Sequence, residues 1–101
     1  MAAEVVWSPE AIEDIESIAA YIERDSPFYA QAVTRKILDL GLSLRDFPDA
    51  GRLVPELDDP SIRERFAYSY RVIYRVEAGR ILVVAVVHGR RLLDSLGSRF
   101  D

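Results

Sequence analysis

Three side chains in this 101-residue sequence are of the types that phosphoryl chemistry needs: Glu56, Arg71 and His88. A carboxylate can take the proton from a ribose 2′-hydroxyl, a guanidinium can steady phosphate charge, and an imidazole can protonate the leaving oxygen. Brought together they would form an RNA-cleaving set. Spacing along the chain does not establish that they converge. Glu56, just after Pro55, reads more readily as an ordinary loop carboxylate. His88, the sole histidine, stands where an apolar run ends and before Gly89-Arg90-Arg91. A lone histidine is at least as often structural or solvent-facing as catalytic.

The larger chemical signal is charge segregation. Residues 1–50 hold 4 basic and 10 acidic side chains, whereas residues 51–101 hold 9 and 7. Within 63–91, Arg63, Arg65, Arg71, Arg75, Arg80, Arg90 and Arg91 stand against only Glu64 and Glu77, a contrast that the overall balance of −4 conceals. Every cation there is arginine, whose planar fork of donors suits carboxylates and phosphates. Strand alternation over 63–76 sends Arg63, Arg65, Arg71 and Arg75 to one face and Phe66, Tyr68, Tyr70 and Tyr74 to the other, unless a turn near Tyr68–Tyr70 breaks the register. Such a face, with Arg90 and Arg91, would bind an anionic surface or an acidic protein segment. The bland alternative is a solvated face whose arginines pair with nearby acids.

Composition excludes several classes. With no cysteine, the chain is not a disulfide scaffold, a zinc finger or a thiol enzyme. It has no metal-ligand cluster, glycine-rich phosphate loop or nucleophile elbow, so no metal or cofactor is expected. The longest strongly apolar run, Ile81–Val87, is far short of the roughly 20 residues that span a membrane. Met1–Ser8 lacks the Lys, Arg and apolar stretch of a secretory signal, and the expected location is cytoplasmic. Length predicts one domain over 1–101, with a core at about 4–93 and a frayed end over 97–101.

The elements that must position these residues follow from periodicity. Glu4–Trp7 reads as a strand, and Ser8-Pro9 as a helix start. Ala11, Ile12, Ile15, Ile18, Ala19 and Ile22 then recur at helical spacing, giving a helix over about 9–24. Ser26-Pro27 repeats the start signal, and Ala30, Val33, Ile37, Leu40, Leu44 and Phe47 mark a second helix over about 27–47, ending at Pro48. A connection of three residues makes the pair an antiparallel hairpin. Beyond Gly51, β-branched and aromatic residues predict strands at 63–68, 70–76 and 80–87, the last an inner strand because both its parities are apolar. The fold class is α+β: an N-terminal strand, a helical hairpin on one face of a mostly antiparallel sheet of three to four strands, and a C-terminal helical turn or tail. The other sheet face is expected to be open.

Taken in order, Val6-Trp7-Ser8-Pro9, Asp14-Ile15, Ile18-Ala19, Tyr21-Ile22, Phe47-Pro48, Gly51-Arg52, Tyr70-Arg71-Val72-Ile73-Tyr74-Arg75-Val76 and Val87-His88 resemble RelE/ParE-superfamily toxins of type II toxin–antitoxin pairs, over roughly residues 4–93. The resemblance implies a growth-arresting toxin held by a cognate ParD-like antitoxin, whose acidic C-terminal segment docks on the toxin in a hetero-oligomer. RelE-like members cut mRNA on the ribosome, and ParE-like members poison DNA gyrase. The lysine-rich RelE set is missing, since Lys36 is the only lysine. A second ribonuclease pattern of carboxylate, arginine and histidine maps onto Glu56, Arg71 and His88, but this arginine and histidine also occur in ParE-like members. The long hairpin and Gly51-Arg52 look ParE-like, so gyrase is the expected target, with plasmid stabilisation as its setting and RNA cleavage as the alternative. The sequence does not decide whether the protein touches nucleic acid directly.

Overall fold

The computed structural model describes residues 3–101; Met1 and Ala2, part of the expected single domain, lie outside the described residues. Strand β1 (Glu4–Trp7) leads into α1 (Pro9–Glu23) through Ser8, whose hydroxyl accepts from the Ala11 N–H at 3.0 Å. The same device starts α2 (Pro27–Ser43), where Ser26 accepts from the Tyr29 N–H at 3.1 Å. In both, a proline occupies the first turn, where its missing N–H costs nothing. Helix α2 ends at Ser43 instead of about residue 47. Its last turn tightens, with the N–H groups of Leu44, Arg45 and Asp46 each bonding three residues back at 3.1–3.3 Å. The expected seam is therefore buried from Ala30 to Leu44, but Phe47 is left 65% exposed. Gly41 lies under the Trp7 indole, which a Cβ there would overlap, so glycine lets β1 pack this close to α2.

Strands β2 (Arg52–Leu53), β3 (Ile62–Ala67), β4 (Tyr70–Glu77) and β5 (Arg80–His88) complete a five-stranded sheet in the order β1-β5-β4-β3-β2. Only β1 and β5 run parallel. The sheet has more strands than the three to four expected because β2, with two residues, is too short to carry an alternation. Strand β5 is inner, as its apolar run requires. Helices α1 and α2 cover one sheet face over Val72, Tyr74, Ile81, Val83 and Val86.

The second face is not open. Leu93–Phe100 form a 3-10 helix whose Leu93, Leu96 and Phe100 pack over Ile62, Ile73, Val84 and Val87 as a second core. The expectation of fraying from Gly97 gives way to a pinned end. Arg75 donates to the Phe100 carbonyl at 2.6 Å, and Arg99 donates to the Asp14 carboxylate at 2.7 Å.

Register decides which residues share a face. The β3–β4 hairpin has a two-residue loop, Tyr68-Ser69, so Ala67 pairs with Tyr70 and the odd-even parity inverts across the turn. Arg63 and Arg65 therefore pair with Tyr74 and Val72 on the helix side, while Arg71 and Arg75 pair with Phe66 and Ile62 on the other. The single guanidinium face expected over 63–76 is thus two separate pairs. On β5, a bulge at Val84 moves the helix-facing parity from Ile81 and Val83 to Val86, and both parities are buried because both faces are covered.

Candidate functional site

Arg71 is the centre of a buried ion network. Its Nη1 and Nη2 donate to the two carboxylate oxygens of Glu56 at 2.6 and 2.8 Å, and its Nε donates to Glu64 Oε1 at 2.6 Å. The other Glu64 oxygen accepts from Arg52 Nε at 2.7 Å. Glu64 and Arg71 meet because they stand diagonally across β3 and β4 on one face. Their side chains are 0% and 4% exposed. A guanidinium so committed has no fork left for a phosphate. The Arg71 hydrogen bond holds the Glu56 carboxyl below its ordinary range, against the opposing effect of partial burial, which makes Glu56 a weak base. The same bond holds Arg71 more firmly protonated.

His88 is elsewhere. It pairs with Tyr70, on the helix side of the sheet, and the two rings meet edge to face with centroids 5.7 Å apart. Its Nδ1 accepts from the Arg90 N–H at 3.1 Å. Of the three candidate catalytic residues, the fold joins Glu56 and Arg71 and puts His88 on the opposite face. Among the candidate binding arginines, Arg63 donates to the Gly51 carbonyl at 2.8 Å, and Arg75 also lies 3.5 Å from Asp59. Arg65 is half-buried, while Arg90 and Arg91 are exposed.

Other structural anchors lie outside the candidate site residues read from the sequence. Asp14 on α1 accepts from the Val86 N–H at 2.9 Å and from Arg99, which also reaches the Val84 carbonyl at 3.3 Å. These partners are 72 to 85 residues apart in the chain, beyond any local pattern. Tyr74 is fully buried, and its hydroxyl donates to the Pro48 carbonyl at 3.0 Å and accepts from the Gly51 N–H at 2.9 Å. Burial pushes this phenol up. A Cβ at Gly51 would strike both the Tyr74 hydroxyl and the Glu64 backbone, so the Gly51-Arg52 pair is a structural joint.

Two grooves face solvent beside these anchors. One, of about 430 Å³, lies between α2 and β3 and is lined by Lys36, Leu40, Phe47, Arg65 and Phe66. The other, of about 340 Å³, lies between α1 and the end of β5 and is lined by Ile18, Tyr21, Tyr70, His88 and Arg91. No helix among the described residues is long and apolar enough to cross a membrane.

A helical hairpin on one face of this sheet, with β1 parallel to the inner strand, is the architecture of RelE/ParE-like toxins. The structure aligns with a chromosomal ParDE toxin–antitoxin system from P. aeruginosa at a TM-score of 0.71 and 18% identity, covering 86% of this chain and 96% of that one. It aligns with the RelBE2 toxin–antitoxin complex from Mycobacterium tuberculosis at a TM-score of 0.62 and 16% identity, over 87% and 99% of the two chains. In sequence it is 32% identical over 91 residues to Toxin RelE2 of Caulobacter vibrioides, covering 89% of this chain and 99% of that protein. The model of the ParE toxin of the type II toxin–antitoxin system parDE matches residues 5–93, and the chain belongs to that family. It is a toxin of a type II toxin–antitoxin system.

Proposed function

We propose that this toxin arrests growth by binding and poisoning DNA gyrase, and that a ParD-like antitoxin neutralises it through an acidic C-terminal segment seated in the groove between α2 and β3. One observation carries the choice of target. Arg71, the cation an RNA-cleaving set would turn on phosphate, is 4% exposed and bonded to Glu56 and Glu64, with His88 across the sheet. Geometry precedes pKa in judging acid–base catalysis, and this arrangement serves folding better than proton transfer. The decisive experiment adds purified toxin to gyrase in a supercoiling assay. Inhibition with gyrase-dependent DNA cleavage is expected; no effect at stoichiometric excess sinks the reading.

The antitoxin groove offers Lys36 and Arg65, against the single carboxylate of Asp39, beside the exposed ring of Phe47, a mix suited to an acidic amphipathic segment. Charge reversal as Lys36→Glu with Arg65→Glu is expected to weaken antitoxin binding by on the order of tenfold. Unchanged affinity in titration calorimetry would remove the groove from the reading.

The kinship with a protein named Toxin RelE2 favours a second reading, an endoribonuclease. Ribosome-dependent cleavage of mRNA by the purified chain, lost in His88→Ala, would establish that reading instead.

A further inference from the structure

Strand β5 outruns its neighbour. The β1–β5 register ends at Trp7 opposite Val83, and the Ser8 N–H takes the Val83 carbonyl at 3.0 Å before α1 turns away. Beyond that point two side chains occupy the places of a neighbouring strand. Arg99 donates to the Val84 carbonyl and Asp14 accepts from the Val86 N–H. The N–H and C=O of one strand residue point to the same side, and residues two apart repeat that direction. The Val86 carbonyl and the His88 N–H therefore also face this edge, where no strand among the described residues pairs with them; Val86 is buried and His88 is exposed.

Beside this edge is the 340 Å³ groove floored by Ile18, Tyr21 and Tyr70. Tyr29 and Tyr68 continue the aromatic surface, their ring centroids 5.9 Å apart. Tyr21 and Tyr68 are 68% and 54% exposed. Tyr68 is held at φ 54°, a left-handed conformation that disfavours a bulky residue, whereas the β4–β5 turn puts Gly79 at φ 75°. At the rim, Arg90 and Arg91 are exposed and form no ion pair among the described residues. The Asp14 charge is already matched by Arg99, so the unmatched charge lining this groove is positive.

We propose that this notch grips the toxin's protein target by adding an extended segment, acidic and aliphatic, beside Val86–His88. The segment's backbone accepts from the N–H of exposed His88, an aliphatic side chain enters the tyrosine floor, and a carboxylate meets Arg91. The proposal rests on the reading that the toxin acts on a protein. The antitoxin groove lies across the sheet on β3, so the two surfaces are separable by mutation.

The test compares Tyr21→Ala with Arg91→Glu, singly and together, in three assays: growth arrest in cells, gyrase supercoiling and antitoxin binding. Both residues are exposed, so folding is expected to persist, and circular dichroism checks it. The double variant is expected to lose about thirtyfold in growth-arrest potency while keeping antitoxin affinity within about twofold. A second variant, Tyr68→Gly, should raise the melting temperature while weakening growth arrest. Full growth arrest by folded variants overturns the proposal, as does loss of antitoxin binding instead of toxicity. If parent toxin leaves gyrase untouched but the double variant still loses growth arrest, the notch stands and gyrase as the target falls.

Discussion

Two arginines, one within β4 and one just past the end of β5, show how far position outweighs residue type. Arg71, midway along the sheet, has exchanged its water for Glu56 and Glu64 and is 4% exposed. Arg91, just past the end of β5, is exposed, and its only side-chain partner among the described residues is Ser95 at 3.4 Å. A guanidinium is a strong recognition group in either place, but the first is spent inside the fold and the second is left for another molecule.

The comparison breaks first at Arg71. Arg71→Met leaves the buried Glu64 with only Arg52, and a loss of about 3–5 kcal/mol in urea unfolding is expected. Tyr74→Phe strips the acceptor from the buried Gly51 N–H and should cost about 1–3 kcal/mol, read by the same melt. Glu56→Gln sharpens the contrast through pH. The Glu56 carboxyl is held below its ordinary value of 4.5, so its stabilisation is full above that pH and lost as pH falls through the lower folded value. Because its side chain is 45% exposed, solvent screening limits the effect to about 1 kcal/mol or less. Urea melts should show the gap between parent and variant at pH 7 closing below pH 4.5. The smallest effect belongs to the rim: Arg90→Ala with Arg91→Ala should change stability by no more than about 0.5 kcal/mol.

Much of the architecture was legible because it rests on local rules. The Ser-Pro starts at Ser8-Pro9 and Ser26-Pro27, the seam from Ala30 to Leu44 and the inner strand around Ile81–Val87 each follow from spacing within one element. Features depending on the join between elements were not legible. The arginine face failed because a two-residue loop at Tyr68-Ser69 inverts parity, although the sequence already marked that turn as the place where it could happen. The expected open face failed because Leu93, Leu96 and Phe100 make sense as a core only once Ile73, Val84 and Val87 stand opposite them. Of the candidate sites, the meeting of Glu56 with Arg71 was readable as a possibility of chemistry, whereas Asp14 and Arg99 become partners only through the folded chain.

The contact between Asp14 and Arg99 has a consequence in time. Residues 85 positions apart close the edge of β5, and the same 3-10 helix completes the second core. Contacts between distant parts of a chain form late, because their loop entropy must be met before they contribute. The helical hairpin is built from contacts close in sequence, whereas the second core and the closed edge of β5 both wait for residues 93–100.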